Sequence, residues 1–416
     1  MRIPSARAYT AFFFATLQIT KLMKSRRSSA SRTSGSSSLN LKAYADRLVA
    51  AAGAELQGPD VLVILLQGTT LATALRGARP DLNYTFYTPE HFFLNTLQSF
   101  HSECRPEPPA DGIAAGMAFI GTDPRTDQTI RLVCSTDPPV QEYDSVAFPT
   151  SATGNAEQTQ ELLQAAHLRL KSGGRLVVST NNNKDQWLYD QLRMIFQKTT
   201  VRKHPEGVVY IAHKGPALKK VKDFHAASAF RFHGQLLHVV TLPGVFSHRR
   251  VDGGARALIH SLEQLLPEGN DRAETPFRPR RIADLGCGSG AVAIAAAVQY
   301  PEARVLAIDS YARAIECVRI GAAKNEIDRI DTLLTSDGVL PQPNSWDLIL
   351  TNPPYYSDFR ISELFIRSAL AALRPGGRLH LVTKLTEWHE DRLSQLFRSV
   401  TATRIGEYDV VTARKF

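Results

Sequence analysis

The sequence predicts two tandem α/β units, the second a seven-stranded, doubly wound parallel sheet with an antiparallel C-terminal edge. Strand-like and helix-like stretches alternate from Arg281 to Thr383. Two segments of the first half recur without gaps 203 residues later. A basic, proline-containing stretch, "KGPALKKVKDF" (Lys214–Phe224), separates the halves.

In the second half "RIADLG" (Arg281–Gly286) reads as a buried strand and "SGAVAIAAAVQY" (Ser289–Tyr300) as a helix of small residues. "ARVLAID" (Ala303–Asp309) is a second strand, and "ARAIECVRIGAAKNE" (Ala312–Glu326) has helical periodicity. "DTLLTSD" (Asp331–Asp337), "WDLILTN" (Trp346–Asn352) and "GRLHLVT" (Gly377–Thr383) make five strands. Helices are expected at Ser362–Leu373 and at about Glu387–Val400, and "ATRIGEYDVVTARKF" reads as a terminal hairpin. Such alternation gives a parallel sheet wrapped by helices.

The first half echoes this pattern. "YDSVAFPTS" (Tyr143–Ser151) aligns with "WDLILTNPP" (Trp346–Pro354), and "LKSGGRLVVST" (Leu170–Thr180) with "LRPGGRLHLVT" (Leu373–Thr383). Both matches share one offset, which favours duplication. The copies differ at the end of the fourth strand, where Asn352, Pro353 and Pro354 align with Pro149, Thr150 and Ser151. The strand "VLVILLQG" (Val61–Gly68) runs into "TTLATAL" where the second half has a glycine series. The first half is therefore expected to be a non-catalytic platform. The boundaries expected are a basic, Ser/Arg-rich, disordered leader at 1–40, a degenerate unit at 41–215, a linker at 216–231 and the catalytic unit at 232–416.

The chain has 416 residues, 43% of them hydrophobic, enough for two cores. No apolar run reaches the roughly 18–20 residues of a membrane span. Of the net charge of +9, eight positive charges lie in the acid-free stretch Met1–Ala45, so the remainder is close to neutral. A polyanion-binding surface must then be local. Candidates are "KGPALKKVK" (Lys214–Lys222), "HRR" (His248–Arg250) and "RPRR" (Arg278–Arg281), each of which also reads as a solvated face. The four cysteines, Cys104, Cys134, Cys287 and Cys317, show neither a CxxC pair nor metal-site spacing, so reduced thiols in a cytosol-like compartment and no metal are expected. The leader reads as a dispensable tail, an organelle transit peptide, a weak secretory signal, or translated sequence upstream of a start near Met23. A cytoplasmic protein is expected, or an organellar one if the leader is a transit peptide.

"DLGCGSG" (Asp284–Gly290) follows a strand and opens a helix. Alternate glycines permit a sharp turn and close ligand approach, and the helix N-terminus adds free N–H groups. This pattern alone also suits dinucleotide loops. Asp309 ends the second strand, where a carboxylate can take both hydroxyls of a ribose; Ser310 follows it. Ser336 and Asp337 end the third strand, where Asp337 can accept from an adenine amino group. Asp284 can face an ammonium group or order the loop. Helix N-capping is the competing reading for Asp309 and Asp337.

"NPPY" (Asn352–Tyr355) ends the fourth strand. An exocyclic base amine is a poor nucleophile because its lone pair is shared with the ring. Two acceptors, the Asn352 carboxamide oxygen and the Pro353 carbonyl, can hold its hydrogens and aim the nitrogen. Pro353 and Pro354 stiffen the turn, and Tyr355 offers a face for a flipped-out base. A purely structural turn is the competing reading.

These residues resemble a class I S-adenosylmethionine-dependent methyltransferase with a Rossmann-like fold. Asp284, Gly286, Gly288 and Gly290 match that family's cofactor loop, which implies that Cys287 within it also lines the cofactor, and Asp309 matches its ribose-binding acid. Asn352–Tyr355 matches the motif of its amino-methylating members, with Asn352 also lining the cofactor site. "LPGVFSHRRVDGG" (Leu242–Gly254) resembles the entry element of ribosomal RNA guanine-N2 methyltransferases, which are tandem duplicates with a degenerate first domain. The resemblance implies S-adenosyl-L-methionine as cofactor, ribosomal RNA or a ribosomal subunit particle as partner, no membrane, and a monomer. Those enzymes carry phenylalanine where this chain has Tyr355, so adenine N6 and protein glutamine remain alternative acceptors. An idle RNA-binding assembly factor is the alternative from another class, and a dinucleotide oxidoreductase a weaker one.

Overall fold

The computed structural model describes residues 44–107, 116–264, 277–354 and 358–416. The leader expected at 1–40 lies outside the described residues. Two mixed sheets, each flanked by helices, belong to one compact unit.

The first sheet follows a helix over 44–51 (α1). Its elements are β1 (Asp60–Ile64), α2 (Thr70–Ala78), β2 (Asn83–Thr88), α3 (His91–Phe100), β3 (Arg105–Pro106), β4 (Met117–Thr122), β5 (Thr129–Cys134), β6 (Tyr143–Thr150), α4 (Ala156–Arg169), β7 (Leu170–Thr180), α5 (Trp187–Ile195), β8 (Lys198–His204) and β9 (Gly207–His213). Their spatial order is β3-β4-β5-β2-β1-β6-β7-β9-β8.

A hairpin of β10 (Ala226–Phe232) and β11 (Gln235–Thr241) comes next. It begins inside the segment expected as a linker. The turn residues His233 and Gly234 both have positive φ, the backbone a two-residue hairpin requires. Phe230, Phe232, Leu237 and Val239 are buried in the main core, so this segment packs as part of the fold.

The second sheet contains α6 (Gly253–Gln264), β12 (Arg281–Leu285), α7 (Ala291–Gln299), β13 (Arg304–Asp309), α8 (Ala312–Lys324), β14 (Ile330–Leu334), β15 (Trp346–Thr351), α9 (Arg360–Ala372), β16 (Leu373–Thr383), α10 (Thr386–Ser394), β17 (Arg398–Ile405) and β18 (Tyr408–Arg414). Its order is β14-β13-β12-β15-β16-β18-β17, with β18 antiparallel to β16. This is the seven-stranded sheet with the expected antiparallel edge. The helix expected to reach Val400 stops at Ser394, because buried Phe397 turns the chain into β17. In α7 the small side chains let the helix sink into the core, with every residue from Ala291 to Ala297 buried.

The two sheets repeat one another in detail. Within the first, β5-β2-β1-β6-β7-β9-β8 copies the order of the second. The β6–β7 register shifts between Tyr143 and Ser145, and the β15–β16 register between Trp346 and Leu348, which are the same positions at the 203-residue offset. Asp144 accepts from Asp60 N and Lys171 Nζ; Asp347 accepts from Arg280 N, Arg281 N and Arg374 Nε. One difference lies where the sequences diverge. Pro149 and Thr150 continue the β6 ladder opposite Ser179 and Thr180, whereas β15 ends at Thr351 and releases Asn352.

The halves meet where their second strands end. After β2 and β13, the corresponding residues pair antiparallel: His91 N donates to Ser310 O at 2.8 Å and Ala312 N to Pro89 O at 2.7 Å, about a bridge between Glu90 and Tyr311. This is the self-complementary pattern of a two-fold contact, built within one chain. Arg313, with a fully buried side chain, crosses the same seam. It donates to Thr136 O at 2.9 Å, Asp137 Oδ1 at 3.0 Å and Glu161 in the first half, and to Pro243 O at 3.0 Å.

Candidate active site

Four adjacent parallel strands, β14, β13, β12 and β15, carry the sequence-predicted site residues at their C-terminal ends. Ligands of open α/β sheets bind in the crevice at that edge. The structure brings Asp284–Gly290, Asp309, Ser310, Ser336, Asp337 and Asn352–Pro354 to this edge. Tyr355 lies outside the described residues.

The loop after β12 turns on Gly286, Gly288 and Gly290, all at positive φ. A side chain at Gly290 would start 2.9 Å from Val318 Cγ2, whereas one at Gly288 would meet nothing within 4 Å. Gly290 is thus required by packing, and Gly288 opens onto free space. The buried Cys287 holds its thiol well above the ordinary range, because burial disfavours a thiolate. It fills the loop's inner side and is not activated as a nucleophile.

Asp309 orders this loop. Its Oδ2 accepts from Gly288 N at 2.9 Å and its Oδ1 from Tyr311 N at 3.0 Å. The competing capping reading does not hold for Asp309: the N-cap of α8 is Tyr311, two residues on, and no side chain caps that helix. Each carboxylate oxygen keeps a further lone pair, and the residue is only half-buried. Burial still raises its pKa despite those N–H groups.

Asp284 is almost wholly buried, and its Oδ2 has no hydrogen-bond partner among the described residues. Burial, then the nearby charge of Asp309, push its pKa up to about 7. A buried, orphaned carboxylate oxygen is costly unless a donor or cation meets it. The ammonium of an amino-acid ligand is such a group, so the donor set fits the amino-acid end of S-adenosylmethionine. Asp337 is exposed, and its Oδ1 accepts from Thr335 Oγ1 at 2.7 Å and Val339 N at 2.9 Å, which fixes the carboxylate at the rim.

Beyond β15, Asn352 Nδ2 donates to Asp252 Oδ2 at 3.0 Å. A carboxylate only accepts, so this bond fixes the amide nitrogen on Asp252 and turns Oδ1 away from it. The same Asp252 oxygen takes Gly254 N at 2.9 Å and Ala255 N at 3.3 Å, capping α6. A side chain at Gly254 would lie 2.9 Å from both terminal atoms of the Asn352 amide. Thr351 Oγ1 donates to Leu285 O at 2.9 Å, tying the end of β15 to the glycine loop. Asp252 is a site residue not legible in the sequence, where an Asp-Gly-Gly at a helix start is explained by capping alone.

The basic candidates fare unevenly. Arg249 pairs with Glu157, and Arg280 with Glu302, while Arg281 stacks on the Trp346 ring at 4.6 Å. Lys219 and Lys220 are exposed. Among the described residues no group of His, Cys, Asp and Glu could hold a metal, and no helix is long and apolar enough to cross a membrane.

Residues 236–412 match the methyltransferase small domain family. The chain is 36% identical over 150 residues to ribosomal RNA small subunit methyltransferase C of Pseudomonas aeruginosa (strain LESB58), covering 35% of this chain and 41% of that protein. To the protein of that name from Pseudomonas putida (strain W619) it is 31% identical over 171 residues, 40% of this chain and 47% of the relative. The chain thus spans less than half the length of these curated relatives. The T. thermophilus 16S rRNA N2 methyltransferase RsmC, solved in complex with AdoMet and guanosine, shares the fold at a TM-score of 0.69 and 21% identity, over 90% of this chain and 92% of that one.

Proposed function

We propose that this chain, which carries a methyltransferase small domain, transfers a methyl group from S-adenosylmethionine to the exocyclic N2 amine of a guanine in ribosomal RNA. The observation that carries this reading is the Asn352 amide, fixed by Asp252 beside an edge lined with Asp284, Gly288 and Asp309. Asp284 would hold the cofactor's ammonium, Asp309 its ribose hydroxyls and Asp337 its adenine amine. When bound, the cofactor supplies a methyl group on a positively charged sulfur.

Asn352 Oδ1 and the Pro353 carbonyl would accept the two hydrogens of the base amine. That holds its nitrogen in line with the methyl and favours the positive charge that grows on it. The prolines keep both oxygens aimed, and no strong general base is needed because the proton can leave after transfer. Positioning and charge complementarity then supply most of the rate. The like-named relatives and the RsmC fold support ribosomal RNA as substrate. Tyr355 keeps adenine N6 and a protein glutamine as the second reading.

Purified protein incubated with radiolabelled S-adenosylmethionine and ribosomal RNA should pass label to the RNA, and the Asn352→Ala variant should do so about a hundredfold or more slowly. Label transfer unaffected by that substitution would reject the assigned role.

A further inference from the structure

The segment that follows β2 in the first sheet reaches the proposed cofactor edge of the second. His91 Nδ1 accepts from Ser336 N at 3.1 Å and lies 3.0 Å from Ser336 Oγ. Asn95, one turn along α3, donates to the same hydroxyl at 3.2 Å. Because Nδ1 takes a backbone N–H, it carries no proton, and the imidazole is the neutral Nε2–H tautomer. Burial favours this form and lowers the imidazole's pKa, against the opposing pull of Asp337.

Ser336 directly precedes Asp337, and Thr335 N donates to Asp309 O at 3.0 Å. The loop that His91 grips therefore links the two rim acids. The grip is itself anchored, since His91 N donates to Ser310 O beside Asp309, within the bridge between Glu90 and Tyr311. One turn of the first half thus touches both loops that carry the acids.

We propose that His91 is a positioning residue of the cofactor site, supplied by the half that lacks the glycine loop. It acts through Ser336 to hold the Asp337 carboxylate where an adenine amine would donate. The inference rests on the functional reading above, and gives the duplicated half a direct part in cofactor affinity.

Two substitutions separate positioning from space-filling in the intact chain. His91→Phe keeps a ring of similar shape and loses the acceptor. His91→Asn loses the ring and keeps an acceptor close to the Nδ1 position. Calorimetric titration with S-adenosylmethionine should show affinity following the acceptor. Leaving Ser336 N without its acceptor should weaken His91→Phe by about five- to thirtyfold, and His91→Asn should bind within a few-fold of the wild type. The KM for S-adenosylmethionine should rise with Kd while kcat holds. Unchanged affinity in His91→Phe, or a loss in His91→Asn with none in His91→Phe, overturns the proposal, whatever happens to thermal stability. A wild-type chain that binds no S-adenosylmethionine fails the functional reading itself, and this inference with it.

Discussion

Asp252 holds Asn352: one carboxylate oxygen starts helix α6 and, 3.0 Å away, receives the amide nitrogen of the residue that ends β15. The carboxamide oxygen is thereby aimed by an element from before the sheet. Asn352→Ala should leave S-adenosylmethionine affinity within a few-fold and cut turnover by about 10²–10³, the range for losing one charge-stabilising group. Gly254→Ala should lower turnover in the same direction, because its methyl group would start 2.9 Å from that amide. Steady-state kinetics beside calorimetry check both.

Asp309→Ala should act on binding instead. Its carboxylate both orders the loop through Gly288 N and, in the proposed complex, accepts from the ribose. A charged hydrogen bond contributes roughly 1.5–3 kcal/mol, so about ten- to a hundredfold weaker S-adenosylmethionine binding is expected by calorimetry.

Asp284 makes both stability and binding depend on pH, in opposite senses. Its native pKa of about 7 lies above the ordinary 3.8. The folded chain therefore keeps a proton that the unfolded chain sheds, and this group's contribution to stability is lost as pH rises through that window. A ligand ammonium pairs with the ionised form, so S-adenosylmethionine affinity should rise by about fivefold between pH 6 and 7 and turn down towards pH 8, where the ligand's own α-ammonium, of ordinary pKa about 7.7–8.0, loses its proton. Glu90, also raised to about 7 by burial, titrates in the same range. The comparison is therefore with Asp284→Asn, which should lose the rise in affinity and flatten the stability profile measured by chemical denaturation.

Arg313 should govern the seam. Its guanidinium is fully buried, with Glu161 and Asp137 as counter-charges. Arg313→Met leaves the half-buried Glu161 without its partner and should cost about 3 kcal/mol of unfolding free energy, the low end for breaking a buried pair. The double variant with Glu161→Gln should cost less than the two single changes together. Denaturant titration measures both.

In the second sheet β12, β13, β14 and β15 are legible because each carries an apolar run that leads into a glycine, an acid or the Asn-Pro-Pro turn. Asp284, Asp309 and Asn352 announce themselves by type and place. The duplication was legible through the shared offset of Asp144 and Asp347, and the structure explains its persistence: each carboxylate ties the start of its neighbouring strand. The roles of Asp252 and His91 were not legible. Asp252 sits 100 residues from Asn352 and His91 245 residues from Ser336, and each looks locally like an ordinary helix-start residue. Hydrogen bonds between remote loops leave no periodicity. The β10–β11 hairpin is not legible because its first strand, "AASAFRF", opens on four small residues close behind the basic "KKVKDF".

This edge is proposed to methylate a guanine amine. Small-subunit ribosomal RNA, incubated with the full chain and S-adenosylmethionine bearing a deuterated methyl group, should be digested to nucleosides and analysed by mass spectrometry. The expected product is deuterated N2-methylguanosine with the wild-type chain, formed about a hundredfold or more slowly by Asn352→Ala. Deuterium found only in N6-methyladenosine, or in no nucleoside although calorimetry shows the cofactor bound, would contradict the proposal.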